Sequence, residues 1–221
     1  MSTASAVALW TGVLLLGLYH GLNPAMGWPL AVAQAMEGGR TRALWRAWLP
    51  LAAGHLLAML LVLLPFAALS GLFAWVGRGR GLGLAAGGVV LALGLWQLLA
   101  PHRHRWLARV RPTQLLLWSF LMASVHGAAL MLLPVYIGLC TRLPTEALAA
   151  TAGLDLTLRA ALALTVALAH SLAMLASGLL LGWLVYRHLG PGLLRSAWFN
   201  LDRLWALALC VAGAAALATA R

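Results

Sequence analysis

Long runs of apolar residues recur along this sequence, and they constrain the fold more than any other feature. Several runs exceed the roughly 18 residues that mark a transmembrane helix. Hydrophobic residues make up 63 % of the chain and charged residues only 9 %, which leaves little material for a soluble domain. The sequence therefore predicts an all-α polytopic membrane protein in which residues 1–221 form a single transmembrane domain embedded in the lipid bilayer.

About six transmembrane helices are expected, three in each half of the chain. They cover roughly residues 6–36, 47–69, 84–99, 114–139, 159–186 and 204–219. A basic segment, 101–112, separates a first repeat at 6–100 from a second at 113–221. The segment 141–156, which contains Asp155, is expected to be a loop, so that no predicted span contains a carboxylate.

The net charge of +11 would fit a nucleic-acid-binding protein if the chain were soluble. Here the arginines lie between apolar runs, as they do in membrane proteins, and no nucleic-acid partner is predicted. The loops after the first, third and fifth helices hold ten of the fifteen arginines. The positive-inside rule places those loops in the cytoplasm and both termini outside. The first apolar run has no basic segment before it, and we expect it to remain in the mature protein.

The first apolar run contains polar and helix-breaking residues where a bilayer favours hydrocarbon. His20, Asn23 and Met26 stand there together with Pro24 and Pro29. An ionisable side chain at that depth is costly and points to a functional site. Broken backbone persists in a membrane only where protein or a polar cavity satisfies its polar groups. We therefore expect the first helix to be interrupted near Asn23 and Pro24 and to face the interior of the helix bundle.

Two sequence patterns occur once in each half of the chain. The second helix contains His55 and Met59 in the pattern H-x-L-A-M, and the fifth contains His170 and Met174 in the same pattern. The first and fourth helices each carry a His-Gly pair, with the fourth histidine at His126, followed by a methionine and a proline. Because three helices is an odd number, two such repeats would point in opposite directions across the bilayer. Inverted repeats with a site near the midplane are the layout of many secondary transporters.

These residues supply only neutral metal ligands. Residues four apart share a helix face, so each H-x-L-A-M pattern presents an imidazole and a thioether together. Imidazole binds Ni, Cu, Zn and Fe, and thioether sulfur favours Cu(I). The candidate metal ligands are His20, His55, His126, His170, Asn23, Met26, Met59 and Met174.

A ligand set without carboxylates would leave the charge of a divalent ion uncompensated in the bilayer. The ion is then Cu(I), or an anion or hydroxide accompanies it, or the site is transient and hydrated. The structural alternative is that each histidine bonds a carbonyl across a helix interface.

The motif His20-Gly-Leu-Asn23-Pro-Ala-Met26 resembles the H-A-x-D-A-D-H signature of NicO-type nickel/cobalt transporters, and Gly54-His55 resembles their G-H-S element. That family lies in the LysE-like superfamily of small inverted-repeat membrane proteins. The resemblance implies that His20, Asn23, Met26 and His55 correspond to metal-handling positions. Asn23 and Ala25 stand where the family motif has acidic residues, and Met26 stands where it has a histidine. The family also usually has eight helices rather than six.

The favoured function is transport of a transition-metal ion (Cu, Ni, Co or Fe) through a histidine-lined midplane site in a bacterial cytoplasmic membrane. The first alternative is a membrane-embedded, metal-dependent oxidoreductase that holds Cu or Fe on the same four intramembrane histidines. The second alternative is a membrane subunit that docks a cytoplasmic partner through the basic segment 101–112, whose default role is a solvated anchor against anionic lipid.

Overall fold

The computed structural model describes residues 3–38, 41–75, 79–99, 110–141, 143, 152–189 and 201–219. Regular structure in these ranges is helical, with no strand among them. Most of the basic segment 101–112, the predicted docking site, lies outside the described residues.

The residues that the structure describes form eight α-helices, and two of the six predicted helices are each divided in two. Their bounds are α1 (Thr3–Leu22), α2 (Trp28–Gly38), α3 (Thr41–Trp75), α4 (Gly79–Leu99), α5 (Leu115–His126), α6 (Ala128–Cys140), α7 (Ala152–Leu184) and α8 (Leu201–Thr219). A 3₁₀ turn at Pro24–Met26 joins α1 to α2, and a π-helical turn at Val185–Leu189 follows α7. The predicted interruption of the first helix is therefore confirmed.

Several helices have the length and composition needed to cross a membrane. Within the described parts of the chain three single segments qualify, namely Ser5–Leu22, Thr41–Ser70 and Gly153–His188. The pair α5 and α6, bent by 60°, would make a fourth. Their outward faces carry leucines such as Leu61 and Leu172, which are more than 60 % exposed and suit contact with lipid. The chain thus has the properties of an all-helical membrane protein.

Glycines let the central helices approach one another closely. A side chain added at Gly17 or Gly21 of α1 would collide with backbone carbonyls of α7. One added at Gly54 of α3 would collide with the backbone of α5 at Leu116. Helix α1 therefore packs along α7, and α3 packs along both α5 and α7, while α4 and α8 pack against each other. Small residues of this kind permit close packing of membrane helices.

Two large apolar clusters occupy the two ends of the central bundle. Cluster A includes Val13, Met59, Leu63, Ala123, Tyr136, Ala163 and Val166. Cluster B includes Trp28, Leu44, Trp48, Leu51, Leu115 and Val185. Cluster A contains Val13 of α1 and Ala163 of α7, whereas Trp28, which follows α1, and Val185, which follows α7, belong to cluster B. Helices α1 and α7 therefore both begin at the cluster A end. Leu44 and Leu115 lie early in α3 and α5, so these two helices begin at the cluster B end.

The break in the fourth predicted helix lies at Gly127. This glycine has φ of 70°, a left-handed conformation that favours glycine, and it separates α5 from α6. Pro134 instead lies inside α6, and Pro50 and Pro65 lie inside α3. The proline that follows the His-Gly pair, as in the first helix, would predict a break at Pro134, and that prediction is wrong. Neighbouring membrane helices can accommodate the backbone groups that a proline frees.

Asp155 is helical and buried, whereas the sequence analysis placed it in a loop. It lies in the first turn of α7, and its carboxylate accepts a hydrogen bond from Arg159 Nε at 2.7 Å. Arg159 Nη1 also donates to the hydroxyl of Ser70 on α3 at 3.4 Å. The prediction that no span contains a carboxylate is therefore wrong. The pairing four residues apart on one helix face neutralises a charge that burial alone would not tolerate.

Candidate metal centre

The segment after His20 is built to end a helix inside protein. Asn23 caps the 3₁₀ turn, because its side-chain oxygen accepts a hydrogen bond from the Ala25 N–H at 2.9 Å. Gly27 closes the turn with φ of 98°. The indole N–H of Trp28 donates to the Leu22 carbonyl at 3.2 Å and so satisfies an acceptor that the end of α1 leaves open. This local structure keeps His20 in the last helical turn of α1.

Three histidines from three helices meet at the centre of the bundle. His20 comes from α1, His55 from α3 and His170 from α7, and each offers a ring nitrogen such that all three lie within 4.8 Å of one another. Ring centroids are separated by 5.3 Å for His20 and His55, 5.6 Å for His20 and His170, and 5.8 Å for His55 and His170. We call this group the histidine triad. It could hold a metal ion.

The triad is fully buried, and its polar atoms lack protein partners among the described residues. All three side chains are 0 % exposed. Among the residues that the structure describes, none of the six ring nitrogens has a hydrogen-bond partner. Buried polar groups are normally paired, and an unpaired one costs about 1–3 kcal/mol. Six such atoms within one small volume are the mark of a site that completes itself with a ligand.

The geometry of the triad suits an ion of transition-metal size. Three nitrogens bound to one tetrahedral ion at about 2.0–2.1 Å stand roughly 3.3 Å apart. In the structure the three ligand nitrogens lie within 4.8 Å of one another, so a pair is at most about 1.5 Å farther apart than in such a complex. Small rotations of the rings can close this difference. The backbone of Val13 also faces the His170 ring, without meeting hydrogen-bond geometry.

His126, the fourth predicted histidine ligand, lies outside the triad. It is buried at the end of α5, and its ring Nδ1 donates to the Met122 carbonyl at 2.9 Å. Its own carbonyl accepts a hydrogen bond from the indole of Trp205 at 2.7 Å. His126 is thus bonded to a carbonyl of its own helix, whereas the structural alternative was a bond to a carbonyl across a helix interface.

The other predicted ligands fall into three different settings. Asn23 serves as the cap described above. Met59 is fully buried within cluster A, one helical turn after His55. Met26 and Met174 pack against each other in a separate small cluster that includes Ala25. The structure thus brings together three of the four histidines. Met59 and Met174 each lie one helical turn after a triad histidine.

Trp205 contacts the triad, and the sequence analysis did not single it out. Its ring centroid is 4.1 Å from that of His20, and its ring also stacks with that of Tyr19 at 6.1 Å. Trp205 brings α8, which packs mainly on α4, into contact with the triad. Tryptophan at the end of a membrane helix usually marks the interface with lipid, so no sequence signal separates it from the other ten tryptophans.

Comparison with known proteins leaves the site to be judged on its own chemistry. No protein family model, curated protein or solved structure matches the chain. What points to function is therefore the group of three buried imidazoles with unpartnered nitrogens inside the described bundle of apolar helices.

Proposed function

We propose that this protein is an integral membrane transporter of a transition-metal ion, and that the ion binds at the histidine triad during passage. The observation that carries the proposal is the set of six unpartnered ring nitrogens on His20, His55 and His170, all within the described bundle. Imidazole is the commonest protein ligand for transition metals. The resemblance of the His20 motif to NicO-type transporters points in the same direction.

The proposed architecture is six spans arranged as two inverted three-helix repeats. Exchange of the repeats pairs α1 with α5 and α6, α3 with α7, and α4 with α8. The counterpart of the packing of α1 on α7 is then the packing of α5 on α3. Both of these helix contacts are present in the structure. Exchanged helices also begin at opposite ends, α1 and α7 at cluster A, and α5 and α3 at cluster B. These features support an inverted repeat, with α4 and α8 as the shorter third and sixth spans.

The position of the triad between two closed ends supports alternating access. Cluster A closes one side of the bundle and cluster B closes the other, with the triad buried between them. In transporters built from inverted repeats, one half rocks against the other and exposes a central site to each side in turn. The arrangement corresponds to an occluded state in which neither side is open.

The charges favour a cytoplasmic location for the cluster B end. Arg42 and Arg46 at the start of α3, Arg111 before α5 and Arg187 after α7 are all exposed at that end. At the cluster A end Arg159 is buried against Asp155. By the positive-inside rule the cluster B end faces the cytoplasm of a bacterial inner membrane, and the start of α1 faces the periplasm.

The test is metal binding and transport by the full chain. Purified protein is titrated with Cu(I), Ni²⁺, Co²⁺ and Fe²⁺, and the ion that binds is then followed into proteoliposomes. We expect saturable binding and uptake in wild type and loss of both in the His20→Ala/His170→Ala variant. His188→Ala, a change at an exposed histidine, is the matched control. Wild-type protein that binds none of these ions would overturn the proposal.

A membrane-embedded oxidoreductase with Cu or Fe is the second candidate. The complete enclosure of the triad is compatible with it, because a closed site retains a permanently bound metal. Exhaustive dialysis separates the two functions. About one equivalent of metal retained through dialysis and redox-active in spectra would identify the enzyme, whereas an ion that leaves and rebinds would identify the transporter.

A further inference from the structure

Three methionines gather beside the triad in a cluster of their own. Met26 and Met174 are 6 % and 2 % exposed, and they pack with Ala25, while Met122 and Leu175 pack against them. The three thioethers come from the 3₁₀ turn after α1, from α5 and from α7. They are three of the seven methionines in the chain. We call Met26, Met122 and Met174 the methionine cluster.

The methionine cluster lies between the triad and the cluster B end. Met174 is one helical turn beyond His170 on α7, and Met26 follows His20 toward α2. Because α1 and α7 begin at cluster A, Met26 and Met174 both lie farther along the chain from cluster A than the triad histidines do. Leu175 packs against the methionine cluster and against cluster B alike, which joins the two. An ion that left the triad toward cluster B would therefore meet thioether sulfur next.

The charge of the triad limits the ion that it can hold. All three ligands are neutral imidazoles, and the nearest described carboxylate on the same helix, Asp155, precedes His170 by fifteen residues. That spacing is about 22 Å along a helix, and Asp155 is already paired with Arg159. Since the free energy of burying an ion rises with the square of its charge, a divalent ion would be about four times as costly as a monovalent one.

We infer that the transported ion is monovalent and soft, Cu(I) in the cell, and that Met26, Met122 and Met174 form a second binding station for it next to the triad. The inference rests on the proposed function, because the triad is the first station. Thioether sulfur selects Cu(I) over Ni²⁺, Co²⁺ and Zn²⁺, whereas imidazole binds all of them. The two stations together therefore combine affinity from the triad with selectivity from the methionines.

The experiment measures Cu(I) and Co²⁺ affinities of the purified full chain under reducing, anaerobic conditions, with X-ray absorption on the Cu(I)-loaded protein. The test variant is Met26→Leu/Met122→Leu/Met174→Leu, which keeps volume and apolarity. The control is Met36→Leu/Met131→Leu, which changes two methionines outside the methionine cluster and outside the predicted ligand set. We expect the test variant to lose copper–sulfur scattering and to bind Cu(I) about 10-fold or more weakly, while the control keeps both.

The outcomes separate this inference from the proposed function. Unchanged Cu(I) affinity and no copper–sulfur scattering in wild type would overturn the methionine station and leave the triad intact. Tighter binding of Co²⁺ than of Cu(I) by wild type would overturn the choice of ion. Full metal binding by His20→Ala/His170→Ala would instead overturn the proposed function. If the triple variant does not fold, the single change Met122→Leu, at a half-buried position, gives the same readout with a smaller expected effect, about 3-fold.

Discussion

The first and fourth predicted helices carry the same His-Gly pair, yet only one of them supplies a ligand to the triad. In the first, the helix continues past His20 to Leu22, and the left-handed glycine, Gly27, comes seven residues after the histidine. In the fourth, Gly127 follows His126 directly and ends α5 there. His20 keeps both ring nitrogens free for the triad, whereas His126 donates to the Met122 carbonyl.

The difference shows that the distance from a histidine to the helix break decides its role. A side chain inside a helix projects from a fixed face, and α1 directs His20 at His55 and His170. A histidine at the last position of a helix lies beside carbonyls of its own final turn, and His126 bonds one of them. The same dipeptide therefore serves as a ligand in one repeat and as a structural element in the other.

The largest contrast is expected between His20→Ala and His126→Ala. Loss of a direct ligand should weaken metal binding by more than the roughly 10–100-fold that removal of a supporting residue costs. His126→Ala should change metal affinity by less than about 10-fold, because His126 lies outside the triad. Titration of both purified variants checks the contrast. Equal losses in the two variants would mean that His126 joins the site in another state of the protein.

The next contrast concerns two glycines of α1. A side chain at Gly21 would collide with the Met174 carbonyl and with Ser177, whereas no described atom lies within 4 Å of one added at Gly12. We expect Gly21→Ala to lower the free energy of unfolding by about 1–3 kcal/mol and to weaken metal binding, because α1 and α7 must separate. Gly12→Ala should be neutral or stabilise by up to about 1 kcal/mol. Thermal unfolding in detergent, with and without metal, measures both. Metal affinity preserved in Gly21→Ala would show that the spacing of α1 and α7 does not set the triad.

Asn23→Ala tests whether the cap keeps the break away from His20. Removal of the side-chain acceptor for the Ala25 N–H should lower the free energy of unfolding by about 1 kcal/mol. Asn23→Ser keeps an uncharged acceptor oxygen of a preferred cap residue and should retain most of that stability. Chemical unfolding of both variants gives the difference. If Asn23→Ser loses as much stability as Asn23→Ala, the cap is not what Asn23 contributes.

Trp205→Phe should have the smallest effect. The change removes the hydrogen bond to the His126 carbonyl and keeps an aromatic ring against His20. We expect a loss of about 0.5–1.5 kcal/mol in the free energy of unfolding and a metal affinity within about 3-fold of wild type. Tryptophan fluorescence with metal titration measures both in one sample. A large loss of metal affinity would show that the indole supports His20 through its N–H rather than through packing.

The sequence alone was sufficient for the helical fold and for naming the three histidines that the structure brings together. Apolar runs of membrane-spanning length predicted the helices, because helices satisfy their own backbone groups where water is absent. The pattern Asn23-Pro24 predicted the break in the first helix, since proline cannot donate a helix hydrogen bond and asparagine is a favourable cap. The two H-x-L-A-M patterns identified His55 and His170, which the structure brings together.

Only the tertiary structure decided which of these residues meet. The exclusion of His126 depends on the left-handed conformation of Gly127, and a glycine in a sequence permits that conformation without requiring it. The contact of Trp205 with His20 depends on how α8 packs, and the partner of Asp155 depends on where α7 begins. Short patterns report local backbone preference, whereas a site built from separate helices depends on packing between residues far apart in the chain.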